Sequence, residues 1–153
     1  MPAITIREAT EADLPRLVEL LAQLGPAEPG REDASSPLPF AYHMAFRQVR
    51  DTPGQYIFVL EARKRIVGSL ALSIIPNLSH KGAPYAIIEN VIVDEKARGK
   101  RYGELLIRHT VELARANGCY KVSLTSNKRR KDAHRFYKRL GFEATHEGFR
   151  ISF

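Results

Sequence analysis

The chain has 153 residues, of which 44% are hydrophobic and 27% charged, an ordinary balance for a soluble globular protein. This length predicts one domain, residues 1–153, with a buried core. The sequence has no signal-peptide pattern and no apolar run near the ~20 residues that span a bilayer, which excludes a membrane-spanning protein. Cys119 is the single cysteine, so no internal disulfide can form and a cytoplasmic location is expected.

The formal net charge of +7 favours an anionic partner, such as nucleic acid, an acidic membrane or a polyanionic small molecule. Much of this charge lies in two short runs, KARGKR at 96–101 and KRRK at 128–131. The cysteine and histidines do not cluster at metal-site spacing, so no metal is expected.

The first elements in chain order are a strand and a helix. AITIR alternates like a strand, and Thr10 and Asp13 then occupy the N-cap and N3 positions of a helix with leucines at helical spacing. We expect Gly25-Pro26 to end this helix. Residues 25–37 are polar and rich in proline and glycine, which predicts a long loop and a candidate lid. Apolar spacing predicts a second helix at 38–51.

Most of the predicted strands lie in the middle and at the end of the chain. QYIFVLEA and RIVGSLALSII form a hairpin, and YAIIENVIV is a third strand. A helix at 101–117, the strand CYKVSLTS, a basic loop with a last helix, and two short strands around Gly148 follow. The order predicts an α+β fold on one central sheet, in which only YAIIENVIV and CYKVSLTS must run parallel.

The segment EKARGKRYGELL, residues 95–106, joins a strand to a helix and has the properties of an anion site. Unpaired N–H groups and the positive end of the helix dipole attract anions, and Gly99 and Gly103 allow a ligand close to the backbone. Three basic side chains add charge: Arg98, Lys100 and Arg101. A solvated basic turn is the alternative, and this segment alone does not decide between them.

Residues 85–143 resemble the GNAT superfamily of acetyl-CoA-dependent N-acetyltransferases, through ENVIV, DEKARGKRYGELLI, CYKVSLTSN and DAHRFYKRLGF in that order. The resemblance implies a mixed, mostly antiparallel sheet flanked by about four helices, and acetyl-CoA as cosubstrate. In that family a Q/R-x-x-G-x-G/A loop binds the pyrophosphate of coenzyme A through backbone amides. Arg98 and Gly103 match the ends of the pattern, whereas Arg101 occupies the slot of the middle glycine. The implied contacts are Arg98, Gly99, Lys100, Arg101, Tyr102 and Gly103.

The resemblance also implies two catalytic residues. Tyr137 matches the tyrosine of an A-x-x-F-Y-x-x-x-G-F helix, which protonates the departing thiolate. The alternative is that Tyr137 only belongs to an apolar helix stripe. Glu89 is the hypothesised general base, acting through a water, and strand alternation is expected to put it on the face of Val91 and Val93. A carboxylate at a sheet edge, or one paired with a basic side chain, is the alternative.

Further contacts with the cosubstrate are implied along the same strand and before the last helix. In the family's pattern the backbone of Val91, Ile92 and Val93 supplies amides for the thioester carbonyl. Asn127 and Arg130 are expected to contact coenzyme A phosphates or a phosphorylated substrate. For the individual lysines of this basic loop, a solvated charge run is favoured.

The motifs are nearest to aminoalkylphosphonate and glucosamine 6-phosphate N-acetyltransferases, which implies a small amine acceptor with an anionic phosphorus group. The residues that bind the acceptor are expected in the second helix, the 25–37 loop and the 77–84 loop. Some members pair C-terminal strands across a homodimer, and EATHEGFRISF is a candidate for that role.

Two other functions stay open. The two basic runs would suit a nucleic-acid-binding module, although the aromatic residues are not interleaved with exposed basic ones as such modules require. A regulator that binds acetyl-CoA without catalysis is the second, and the intact Tyr137 motif argues against it.

Overall fold

The computed structural model describes residues 3–24 and 30–153, which form a five-stranded sheet in chain order. The strands are β1 (Ile4–Glu8), β2 (Gln55–Ala62), β3 (Arg65–Ile75), β4 (Tyr85–Val93) and β5 (Val122–Ser123). The first four strands are antiparallel to their neighbours, with β2 and β3 as the predicted hairpin, and β5 runs parallel to β4. The predicted mixed, mostly antiparallel sheet is confirmed.

The helices are α1 (Leu14–Leu21), α2 (Phe40–Asp51), α4 (Tyr102–Ala116) and α5 (Lys131–Arg139), which cover both faces of the sheet, and α3 (Ser79–Gly82), a short turn with left-handed backbone at His80 and Lys81. One buried apolar cluster joins the sheet to α4 and α5, and a second joins it to α1 and α2. Within the described part of the chain, no helix is long and apolar enough to cross a membrane.

The start of the first helix follows its sequence signal. The backbone N–H of Thr10 donates to the Asp13 carboxylate at 2.7 Å, as expected for a capping pair. A 3₁₀ turn precedes α1, which ends at Leu21. The predicted helix end at Gly25-Pro26 and residues 25–29 of the predicted loop lie outside the described residues.

A β-bulge at Asn90 interrupts β4. Asn90 has a left-handed backbone with φ of 56°, and the pairing with β3 shifts register between Ser69 and Ala71. A bulge bends its strand and increases the local twist. The strand predicted from CYKVSLTS is accordingly short, because β5 pairs with β4 only at two positions. Beyond them the two strands part.

The bulge also reverses which side chains face each layer. Ile88 packs in the cluster of α4 and α5 before the bulge, and Val91 and Val93 pack against it afterwards. Ile92 instead packs in the cluster of α1 and α2. The expectation that Glu89 shares a face with Val91 and Val93 is therefore wrong, because the extra residue breaks the alternation of period two between them.

The two strands predicted around Gly148 are absent, since residues 142–153 form no strand. A strand needs a backbone partner, and the short β5 provides no long edge within this chain. Three apolar side chains in this segment stay exposed: Phe149, Ile151 and Phe153. The homodimer stays a prediction.

Asp94, directly after β4, ties the end of that strand to α1. Its carboxylate accepts hydrogen bonds from the Arg16 guanidinium and, at 3.1 Å, from the Lys96 backbone N–H. Arg16 Nε also donates to the Ile66 carbonyl at 3.0 Å. Asp94 is buried, and its hydrogen bond with Arg16 is the main cause that lowers its pKa.

Replacing Asp94 by asparagine is expected to lower the free energy of unfolding at pH 7 by about 1.5–3 kcal/mol, because the charge-assisted bond to Arg16 is lost. The pKa of Asp94 is lowered in the folded state, so its contribution is complete above the unfolded-state pKa and is lost as the pH falls through the folded-state value. Urea unfolding at pH 7 and pH 3 should thus show a smaller acid loss for Asp94→Asn than for the wild type. Asp51→Asn, at an exposed ion pair, is the control. Equal stability of Asp94→Asn and the wild type at pH 7 would contradict the role of Asp94.

Candidate active site

A cavity of about 400 Å³ lies where β4 and β5 part. Residues from the end of α1, β4, the chain after β5 and α5 line it. The structure brings four of the predicted site residues together here: Glu89, Val91, Arg130 and Tyr137. A concave site with both apolar and charged walls suits a small ligand.

Tyr137 enters the cavity from α5 with its ring in the core. The residue is 9% exposed, and its ring packs against Phe136 and Phe142 with centroids 5.3 and 5.9 Å away. Burial raises the pKa of the Tyr137 phenol, and the positive charge of Arg130 opposes that rise. The hydroxyl is therefore protonated at neutral pH and can donate a proton. Tyr137 therefore belongs to the apolar helix stripe and also lines the cavity.

Glu89 lines the same cavity from β4. Its residue is exposed, and its carboxylate makes no hydrogen bond or ion pair with another described residue. Glu89 lies on the face of β4 opposite the buried Ile88 and is exposed, so it escapes the desolvation cost expected for a carboxylate in an apolar strand. A carboxylate that faces a cavity without a partner can accept a proton from a ligand or a water.

One edge of β4 has free hydrogen-bonding capacity. Ile92 and Val93 pair with Ser69 and Gly68 of β3 on the other edge. On the side of β5, no strand of the described chain pairs with β4 after Ile87. Backbone groups of such an edge can hydrogen-bond an extended ligand. The Asp94 N–H donates to the Val67 carbonyl of β3 at 2.8 Å, so strand alternation directs the Ile92 amide to β3 and the Val93 amide to the open edge. Contact of the Val91, Ile92 and Val93 backbone with a cosubstrate stays a prediction.

The segment before α4, residues 95–101, contains residues with a left-handed backbone. Gly99 has φ of 82°, and Arg101, at the N-cap of α4, has φ of 63°. Arg101 thus adopts a backbone shape that glycine adopts freely, at a cost of roughly 1–2 kcal/mol. No side chain from the described residues caps this end of α4. Its first N–H groups can bind an anion despite the departure from the glycine pattern.

The Arg101 side chain is turned towards a carboxylate on its own helix. Arg101 Nε lies 2.9 Å from Glu104 Oε2, and Arg108 lies 3.0 Å from Glu104 Oε1. The hydrogen bond from Arg101, and after it the one from Arg108, are the main causes that lower the pKa of Glu104 to about 2. The guanidinium therefore neutralises a buried carboxylate, an interaction that the loop motif did not predict.

Gly103 serves packing between elements. A Cβ atom there would lie 3.3 Å from Phe136 Cζ and 3.5 Å from Val93 Cγ2, so the glycine lets α4 approach α5 and β4 closely. At Gly99 a Cβ would meet open space. The Tyr102 ring is buried in the core. Four predicted contact residues are exposed: Arg98, Gly99, Lys100 and Arg101.

Asn127 is separate from the cavity. Its Oδ1 accepts a hydrogen bond from the Arg129 backbone N–H at 2.9 Å, and its carbonyl lies 2.8 Å from His134 Nε2. These contacts order the turn before α5. Arg130, at the N-cap of α5, does line the cavity. The structure thus brings Arg130, and not Asn127, to the site.

Two site residues come from a segment for which the sequence offered no residue-level signal. Of the three segments expected to bind the acceptor, only the 25–37 loop lines the cavity, through Arg31 and Glu32. Arg31 Nη2 donates to the Leu21 carbonyl at 3.1 Å, which holds the loop against α1. The Oε2 atom of Glu32 is buried and has no hydrogen-bond partner among the described residues.

Comparison with known proteins agrees with this geometry. Residues 15–142 match the Acetyltransferase (GNAT) family. The chain is 34% identical over 150 residues to glucosamine 6-phosphate N-acetyltransferase of Trypanosoma brucei brucei, covering 97% of this chain and 95% of the relative. It is 27% identical over 149 residues to aminoalkylphosphonate N-acetyltransferase of Salmonella typhimurium, covering 97% and 91%.

A solved structure of similar fold is described as a transcriptional regulator from Bacillus halodurans C-125. It has a TM-score of 0.92 and 39% identity, with 99% of this chain and 100% of that chain covered. The extent of the family match and the identity to the trypanosome relative both confirm the resemblance seen in the motifs. The chain belongs to the GNAT family of acetyl-CoA-dependent N-acetyltransferases.

Proposed function

We propose that the protein transfers the acetyl group of acetyl-CoA to the primary amine of a small molecule that carries a phosphate or phosphonate. The observation that carries this proposal is the cavity between β4 and β5, which has both carboxylates and guanidinium groups in its wall. Glu89 is available there to an amine, and Arg130 to an anionic group. The names of the trypanosome and Salmonella relatives support this acceptor class.

Acetyl-CoA would bind along the open edge of β4 and at the start of α4. The backbone N–H groups of residues 98–103 would hold the pyrophosphate, with Arg98 and Lys100 adding positive charge. The pantetheine arm would hydrogen-bond the backbone of Val91–Val93, and an amide there would stabilise the negative charge on the thioester oxygen. In this binding mode the thioester would lie beside the cavity that Tyr137 and Glu89 line.

The proposed reaction is direct attack in a ternary complex. The neutral amine forms a C–N bond with the thioester carbonyl, and Glu89 accepts the proton of that nitrogen, directly or through a water. The C–S bond then breaks, and the Tyr137 hydroxyl gives its proton to the thiolate of coenzyme A. Holding both reactants side by side supplies much of the acceleration.

A regulator that binds acetyl-CoA without turnover is the second candidate, and one observation favours it: the similar structure from Bacillus halodurans is described as a transcriptional regulator. Turnover with any amine would decide against it. The nucleic-acid alternative has lost some support, because Arg101 of the KARGKR run is paired with Glu104.

Release of free coenzyme A thiol tests the proposal. Purified protein is expected to release thiol from acetyl-CoA with glucosamine 6-phosphate or 2-aminoethylphosphonate, and much more slowly with glucosamine or propylamine, which lack the anionic group. Equal rates with and without that group would contradict the proposed acceptor class. No release with any of the four amines would favour the regulator.

Tyr137→Phe is expected to lower kcat by about 100- to 10,000-fold, because the leaving thiolate loses its proton donor. The binding of acetyl-CoA should change little, since the ring and its packing stay. Steady-state kinetics and calorimetry measure the two quantities separately.

Glu89→Gln is the companion variant, and it should lower kcat and alter the pH–rate profile. Tyr120→Phe, at an exposed aromatic cluster with His80, is the matched control and should keep wild-type kinetics. Wild-type kcat in both Tyr137→Phe and Glu89→Gln would remove their proposed roles.

A further inference from the structure

The cavity wall contains a carboxylate that the proposed reaction does not use. Glu32 follows the 25–29 segment and lines the cavity together with Glu89. Its Oε2 is buried and makes no hydrogen bond with any described residue. A buried acceptor left without a hydrogen bond destabilises the folded state, and native proteins seldom keep one without a role. This atom is suited to accept a hydrogen bond from a ligand.

The charges around Glu32 indicate which ligand group it would bind. The cavity wall holds two carboxylates, Glu32 and Glu89, and two guanidinium groups, Arg31 and Arg130. A small amine with an anionic group carries both signs of charge, so its two ends complement the two kinds of charged group in this wall. The carboxylates would attract its amino end and the guanidinium groups its anionic end.

We propose that Glu32 binds the amino group of the acceptor and thereby determines which amines the protein accepts. The inference rests on the proposed function and adds a residue to it. A primary amine has two N–H groups, so one can donate to Glu32 while the proton that the nitrogen loses passes to Glu89.

The amide variant Glu32→Gln tests this role, because it keeps the size of the side chain and removes its charge. With the faster of the acceptors glucosamine 6-phosphate and 2-aminoethylphosphonate, Glu32→Gln should raise the acceptor KM about 10- to 100-fold. The KM for acetyl-CoA should stay within about twofold, since Glu32 lines the cavity and residues 98–103, before and at the start of α4, do not.

The matched control is the next residue along the chain. Asp33→Asn makes the same change of charge, and the Asp33 side chain is exposed and accepts a hydrogen bond from the Ser35 N–H at 3.0 Å. Its kinetics should equal those of the wild type. Glu32→Asp, which keeps the charge and shortens the reach, should give an intermediate rise in acceptor KM. Thermal melting checks that all three variants fold.

The outcomes separate this inference from the proposed function. Wild-type turnover with an unchanged acceptor KM in Glu32→Gln and Glu32→Asp would overturn the role of Glu32 and leave the function in place. An equal rise of both KM values would also overturn it, because a general disturbance moves both. No wild-type turnover with either acceptor would overturn the function and the inference together.

Discussion

In β4 the left-handed Asn90 inserts one residue opposite β3, and the sheet opens beyond it. Two consequences meet at the same place. The strand bends away from β5, which leaves a backbone edge without a strand partner and a cavity beside it. The alternation of side chains also reverses after Glu89, so Val91 faces the layer of Tyr137 whereas Glu89 lines the cavity from the other face of β4. In a regular β4, Glu89 and Val91 would lie on the same face.

The loop after β4 depends on contacts that hold its two ends. Asp94 binds Arg16 of α1 at the start of the loop, and Gly103 lets α4 pack tightly on α5 at its end. Between them Arg101 takes the left-handed shape of a glycine and pairs with Glu104. The proposed anion binding at this helix start would therefore rely on backbone N–H groups and on the neighbouring basic side chains more than on Arg101.

Long periodic segments could be predicted from the sequence, because their burial pattern is local. The helix expected at 101–117 is Tyr102–Ala116, and the hairpin strands have the expected bounds. Strand pairing depends on distant residues, so the sequence predicts too long a strand at 119–126 and predicts C-terminal strands that do not form. The predicted face of Glu89, shared with Val91 and Val93, is wrong because a bulge lies between them, and the local sequence pattern does not reveal a bulge. Glu32 was missed because an irregular loop has no periodicity to read.

Calorimetry with acetyl-CoA, and with an acetyl-pantetheine analogue that lacks the pyrophosphate, measures whether the open β4 edge and the start of α4 bind the cosubstrate. Acetyl-CoA should bind with micromolar affinity that salt weakens, and the analogue should bind at least about tenfold more weakly. Equal affinity for both would contradict a pyrophosphate site at the start of α4. No detectable binding of acetyl-CoA would contradict both the proposed cosubstrate site and the proposed reaction.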